Sequence, residues 1–215
     1  IWACLNRRPP AACVTAEGRL VSEDAELLLK GAGLTMAQHD DVVPYVLEAA
    51  LAPAEASKLA GVKLEPAVMK KAAAKMINSH ELTLVEGVGG ISAPLTDDYL
   101  VKDFFCDMKL PVIIVVKPLL GNVNHAVLSA YYAQHEGLKV LGFIVNGWDE
   151  ENAGVLERSN LYYYEKLTGL PVLGRLPVLN KKLLTGPDML EAGKIAAGNI
   201  DLQRIYKLLG DGENE

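Results

Sequence analysis

Pro111-Val-Ile-Ile-Val-Val116-Lys117-Pro-Leu-Leu-Gly121-Asn122-Val-Asn124-His125 runs a continuously apolar block into a glycine and then a polar, helix-opening segment. Unbroken apolarity means burial on both faces, the mark of a strand inside a parallel sheet. Three further blocks read the same way: Leu82-Thr-Leu-Val85, Val140-Leu-Gly-Phe-Ile-Val145 and Pro171-Val-Leu-Gly174. Helical stretches fill the gaps. One opens at Glu65-Pro66 and runs to Asn78, with Pro66 suited to a first helical turn. Others span Asp97–Met108, Asn122–His135 ahead of Gly137, Asn152–Leu167 ahead of Gly169, and Leu202–Leu209 ahead of Gly210. Strands alternating with helices predict an α/β fold, a doubly wound and mostly parallel sheet with helices on both faces. In such sheets ligands sit beyond the carboxyl ends of the strands, here the loops after Val85, Val116, Val145 and Leu173.

With 215 residues, of which 50% are hydrophobic and 22% charged, the chain can bury a real core. The expected organisation is an atypical segment 1–12, a single α/β domain over 13–209 and a polar tail 210–215. A net charge of -6, with the acidic residues spread out, argues against nucleic acid as a partner. Cys4, Cys13 and Cys106 have no metal-binding or disulfide-framework spacing, which favours a reducing, cytoplasmic compartment. No apolar run approaches the ~18 residues that span a bilayer, so no membrane partner is expected. In Ile1–Ala12 the basic pair Arg7-Arg8 follows the short apolar run instead of preceding it, which does not suit a signal peptide.

Chemistry is sought at the strand ends. Glu86-Gly-Val-Gly-Gly90 offers a carboxylate of the kind that meets Mg²⁺, and glycines whose backbone can approach an anion. A tight turn with a solvated glutamate fits equally well. Leu120-Gly-Asn122-Val-Asn124 enters a helix whose N-terminus favours a carboxylate or phosphate, while ordinary capping by Asn122 or Asn124 explains the same residues. His125 alone reads as a packed or exposed histidine. Asn146-Gly147 supplies an amide that donates and accepts at once, as a nucleobase edge requires, or a plain turn. Arg175 to Leu179 is a proline-containing loop without chemistry of its own. Ser22-Glu-Asp24-Ala25 looks like acidic residues complementing a helix dipole. The phosphate-loop pattern GxxxxGK[ST] is absent from the 215 residues. At the only Gly-Lys pair, Gly193-Lys194, Asp188 stands where the leading glycine belongs. GxGxxG fails as well, because Ser92 follows Gly87 and Gly89 at the third position.

Taken together, these segments resemble dethiobiotin synthetase, a P-loop ATPase-like family. Leu84-Val-Glu-Gly-Val-Gly-Gly-Ile-Ser-Ala-Pro-Leu-Thr-Asp97 is similar to the family's LVEGAGG…PL(S/T)D block, and Pro111–His125 to its PVxLVV…LGxxNH block. Ser22–Ala25, Pro44-Tyr45 with Leu51–Pro53, Leu141–Asn146 and Leu176-Pro177 fall in the family's order. The likeness runs from about Cys13 to Leu209.

The resemblance implies ATP- and Mg²⁺-dependent joining of CO₂ to 7,8-diaminononanoate, closing the ureido ring of dethiobiotin. It implies Asp24 and Glu86 as Mg²⁺ ligands and Gly87, Val88 and Gly89 as a nucleotide-contacting turn. Asn146 and Gly147 would read adenine beside Pro177, Val178 and Leu179. Leu120, Gly121, Asn122 and Asn124 would hold the substrate's carboxylate tail across a homodimer interface.

The family's first βαβ portion, with its P-loop lysine, threonine and later catalytic lysine, has no counterpart ahead of Ala11. Arg7-Arg8-Pro9-Pro10 stands near where Lys-Pro would fall, and Leu184 where some members carry a ribose-contacting glutamate. The catalytic residues are therefore unassigned. The 215-residue chain is expected to bind ATP weakly and turn over little. A cobyrinate amidotransferase-type relative is the alternative enzyme, and a non-catalytic dimerising remnant the alternative outside enzymes.

Overall fold

The computed structural model describes residues 4–5, 13–14, 20–180, 183 and 189–210. The chain divides into two compact units, Ile1–Met108 and Lys109–Glu215.

In the first unit the strands are short and paired two by two. β1 (Cys4–Leu5) lies parallel to β4 (Val46–Leu47). β2 (Cys13–Val14) is antiparallel to β3 (Leu20–Val21), and β5 (Pro94–Thr96) to β6 (Tyr99–Leu100). Helices carry most of the core. α1 (Glu23–Gly31) opens where the buried Ser22 side chain accepts the Ala25 N–H at 3.4 Å. α2 (His39–Val42) follows, then α3 (Pro53–Ala60) and α4 (Pro66–Ser79), each begun by proline in the first turn. α4 buries Met69, Ala73 and Met76, spaced as one helical stripe. α5 (Val101–Asp107) adds Val101 and Phe104.

Two expectations change here. Leu82–Val85 joins no ladder among the described residues, and Leu84 is 84% exposed. A strand is a paired object. Apolar, β-prone sequence favours a strand but does not supply the partner whose N–H and C=O groups would complete it. The helix expected from Asp97 begins instead at Val101, because Asp97 and Asp98 turn the β5–β6 hairpin. Asp103 then accepts the Leu100 N–H at 2.8 Å and closes the helix start.

The second unit holds the parallel sheet. β7 (Val112–Val116), β8 (Val140–Trp148) and β9 (Val172–Pro177) lie side by side in that order. Val116 is in register with Val145, and Asn146 with Leu176. α6 (Asn122–His135) and α7 (Val155–Thr168) cover one face. Ala126, Ala130, Phe143, Val145, Trp148 and Tyr164 form the core there. The other face packs Leu141, Ile144 and Leu173 against Ile205, Leu208 and Leu209 of α9 (Leu202–Gly210), which follows α8 (Met189–Asn199). Helices on both faces of a parallel sheet are the α/β architecture read from the sequence.

α6 and the Gly169 end of α7 (φ 71) match their expected positions. α7 starts at Val155, later than Asn152. The Asp149 carboxylate first accepts the N–H groups of Glu151 and Asn152, each at 3.2 Å, and holds them in a turn.

Candidate functional site

Three parallel strands deliver their carboxyl ends to one edge of the second unit. From β7 comes the loop Lys117–Gly121, from β8 the segment Asn146–Trp148, and from β9 Pro177 and the exposed Val178.

Asn146 and Gly147 do not form a loop after the strand, as the sequence suggested. They lie within β8: Asn146 is in register with Leu176 and Trp148 with Pro177, and the register shifts between them at Gly147. Pairing continues because Trp148 is buried against the sheet and anchors the strand past the polar pair. Asn146 stays exposed. Gly147 has φ 83, and a Cβ built on it would lie 3.9 Å from Val178 Cγ2. The structure therefore gathers Asn146, Gly147, Pro177 and Val178, with the partly buried Leu179 next in the chain, into one small polar-apolar shelf.

The loop from β7 shares that edge. Its residue Leu120 is 85% exposed, and Gly121 (φ 85) is the residue that caps α6. No side chain caps this helix, so capping by Asn122 or Asn124 is corrected: the backbone turn at Gly121 brings the chain into the helix instead. Asn124 and His125 are exposed in the first turn. The loop is held from below. The buried Tyr164 hydroxyl donates to the Lys117 carbonyl at 3.0 Å, and Asn160 Nδ2 to the Leu119 carbonyl at 3.0 Å. Burial pushes the Tyr164 phenol above its ordinary pKa, and a hydrogen bond from Asn160 opposes that shift.

A second network braces the β8 end, and sequence reading missed it. Trp148 Nε1 donates to Glu150 Oε2 at 2.6 Å. Arg158 donates to Glu150 Oε1 at 3.1 Å and Arg175 to Oε2 at 3.3 Å. The Arg175 guanidinium also stacks over the Trp148 ring at 5.2 Å. These donors, Trp148 foremost and then Arg158, hold the Glu150 carboxyl below the usual carboxylate range. Local sequence shows an ordinary surface glutamate there. Only the fold brings its three partners together.

In the first unit, Asp24 is exposed in the opening turn of α1 and Glu86 is exposed ahead of the glycine turn. They stand on separate elements. Neither carboxylate has a hydrogen-bond or ion-pair partner among the described residues, whereas Asp41, Asp97 and Asp107 are each paired with a lysine. Val88 sits partly buried between two glycines. Gly89 has φ 74, and a Cβ on Gly87 would meet Val101 Cγ1 at 3.3 Å, so the turn packs backbone-close on α5. Among the described residues no three His, Cys, Asp or Glu side chains gather as a ready-made metal site. Carboxylate oxygens are ligands of the kind Mg²⁺ takes, a few at a time, with water and phosphate completing its shell.

Gly193-Lys194 lies inside α8, where Lys194 pairs with Glu191 at 3.6 Å, so it is helix surface and not a phosphate loop. Leu184 and Arg7–Pro10 lie outside the described residues.

The AAA domain family matches residues 13–184. The chain is 39% identical over 153 residues to the ATP-dependent dethiobiotin synthetase BioD of Bacillus velezensis, covering 71% of this chain and 65% of the relative. The BioD of Bacillus subtilis (strain 168) gives 39% over 152 residues, with 71% and 65% covered. That of Clostridium acetobutylicum gives 33% over 168 residues, with 76% and 68% covered. The match spans a little under two thirds of the length of the two Bacillus proteins.

Proposed function

The chain belongs to the dethiobiotin synthetase family of P-loop-type ATPases, and on that premise we propose that it serves ATP-dependent closure of the dethiobiotin ureido ring. The substrates in this reading are 7,8-diaminononanoate, CO₂ and ATP. One amine takes up CO₂ and loses a proton to give a carbamate. The carbamate oxygen attacks the γ-phosphorus of ATP, releasing ADP and leaving a carbamic–phosphoric anhydride. The second amine attacks that carbonyl, phosphate departs, and the ring closes. Chemistry of this kind is mainly positioning and stabilisation of phosphoryl charge.

The observation that carries the reading is the shared edge of the second unit. The Asn146 amide oxygen accepts from the adenine amino group while its N–H donates to the neighbouring ring nitrogen, and Gly147, Pro177, Val178 and Leu179 flank the base. Leu120, Gly121, Asn122 and Asn124 receive the carboxylate tail at the start of α6, where N–H groups and the helix dipole favour an anion. Asp24 and Glu86 are the residues that would hold Mg²⁺, and Gly87 to Gly89 let the backbone come near phosphate. The metal, when bound, draws charge from the phosphate oxygens. The exposed Leu120, and Leu128 and Tyr131 on α6, are apolar surface of the kind a second copy would cover in a homodimer.

Calorimetry with Mg·ATP and separately with 7,8-diaminononanoate tests this. Both ligands are expected to bind. Asn146→Ala is expected to weaken ATP about tenfold, the effect of one or two lost hydrogen bonds, and to leave the diamine unaffected. Binding of neither ligand, or an ATP affinity indifferent to residue 146, would defeat the proposal.

A further inference from the structure

Two buried polar side chains of α7 have no part in the chemistry above. Asn160 is 3% exposed and Tyr164 0%, one turn apart on the helix face that meets the sheet. The Tyr164 ring packs on Phe143 with centroids 5.5 Å apart. Leucine and phenylalanine would fill this space without desolvating an amide and a hydroxyl. The polar groups instead reach into one short stretch, the carbonyls of Lys117 and Leu119, at 3.0 Å each. Those carbonyls lie four and two residues before Gly121, where a positive φ turns the chain into α6. A backbone fixed at two alternate carbonyls cannot rotate its intervening peptides freely.

We propose that Asn160 and Tyr164 are positioning residues that fix the Lys117–Gly121 backbone and so preset the α6 N-terminus for the carboxylate tail of the diamine. The second half of this statement rests on the reading of that loop given above. The pair acts through the loop and touches no reacting atom. Its signature is selective: diamine binding depends on it and nucleotide binding does not, because Asn146 and Val178 belong to β8 and to the segment after β9.

Tyr164→Phe keeps the ring and removes only the donor. Asn160→Leu keeps the volume and removes the amide. Both variants are compared with the unaltered protein by amide hydrogen exchange over residues 117–125 and by calorimetry with 7,8-diaminononanoate and with Mg·ATP. Loop exchange about tenfold faster and diamine affinity about tenfold weaker are expected, the equivalent of one buried hydrogen bond, with ATP affinity within about twofold. Unchanged loop exchange in Tyr164→Phe overturns the proposal. So does equal weakening of both ligands, which would mean general loosening. If the unaltered protein ignores the diamine, the functional reading falls, and loop exchange still decides the positioning role. Should Asn160→Leu fail to fold, Tyr164→Phe carries the test alone.

Discussion

At Gly142 the β8 backbone has φ 152, and a Cβ there would stand 2.4 Å from the Pro171 carbonyl oxygen and 2.9 Å from the Leu173 side chain. Backbone cannot yield as a side-chain tip can. Gly142→Ala is therefore expected to cost on the order of 3 kcal/mol, visible as a lower urea midpoint. An unchanged midpoint would mean that β8 and β9 slide apart without penalty. Sequence alone marks Gly142 only as a glycine inside an apolar run. Asn146 was legible as a residue, because an amide at the end of a buried block is unusual. Its place inside a ladder was not, since that depends on Leu176 lying opposite. Glu150 was invisible for a similar reason: its partner Arg175 arrives from another strand.

Elements in the first unit are fastened by side chains far apart in the chain. Lys70 of α4 donates to Asp107 of α5 at 2.7 Å, and the Tyr99 hydroxyl of β6 donates to the same oxygen at 2.9 Å. Lys70 and Tyr99 hold the Asp107 carboxyl below its usual range, while burial and Asp107 push the Tyr99 phenol up. Lys58 of α3 likewise bridges Glu55 and Asp97, tying α3 to the hairpin turn. Such part-exposed pairs contribute little each. Asp107→Asn is expected to cost about 0.5–1 kcal/mol, read as a small drop in Tm, and most of that difference should vanish in 1 M salt. A loss that salt leaves untouched would point to packing instead of charge. Helices with proline starts and glycine stops, such as α4 and α7, were readable because those signals are local. Leu82–Val85 misled because its strand-like composition says nothing about a partner.

For the whole molecule, pH dependence follows from the shifted groups. Asp107, Asp149 and Glu150 have folded pKa values below their ordinary ones. Between the folded and unfolded values the unfolded chain binds more protons, so this stabilisation is complete above about pH 4–5 and is lost as pH falls through the folded values. Tyr99, Tyr164 and Lys58 are raised. Their contribution is complete below the unfolded values, about pH 10, and declines as pH rises toward the folded ones. From these groups thermal midpoints are expected to fall as pH drops below about 4–5 and as it rises above about 10. A midpoint that rises on acidification from pH 5 to 3 would refute this assignment. Among the described residues no helix is long and apolar enough to cross a membrane. The sequence by itself determined the alternation of β7, α6, β8, α7 and β9, the family, and the residue types at the strand ends. Hydrophobic runs and helix stops are written locally, and motif order needs no coordinates. Tertiary structure alone decided that Asn146 extends a strand, that Leu82–Val85 has no ladder, and that Asn160, Tyr164 and the Glu150 network brace the sheet edge. Each of these depends on what lies opposite in space, and one chain position carries no record of its distant neighbour.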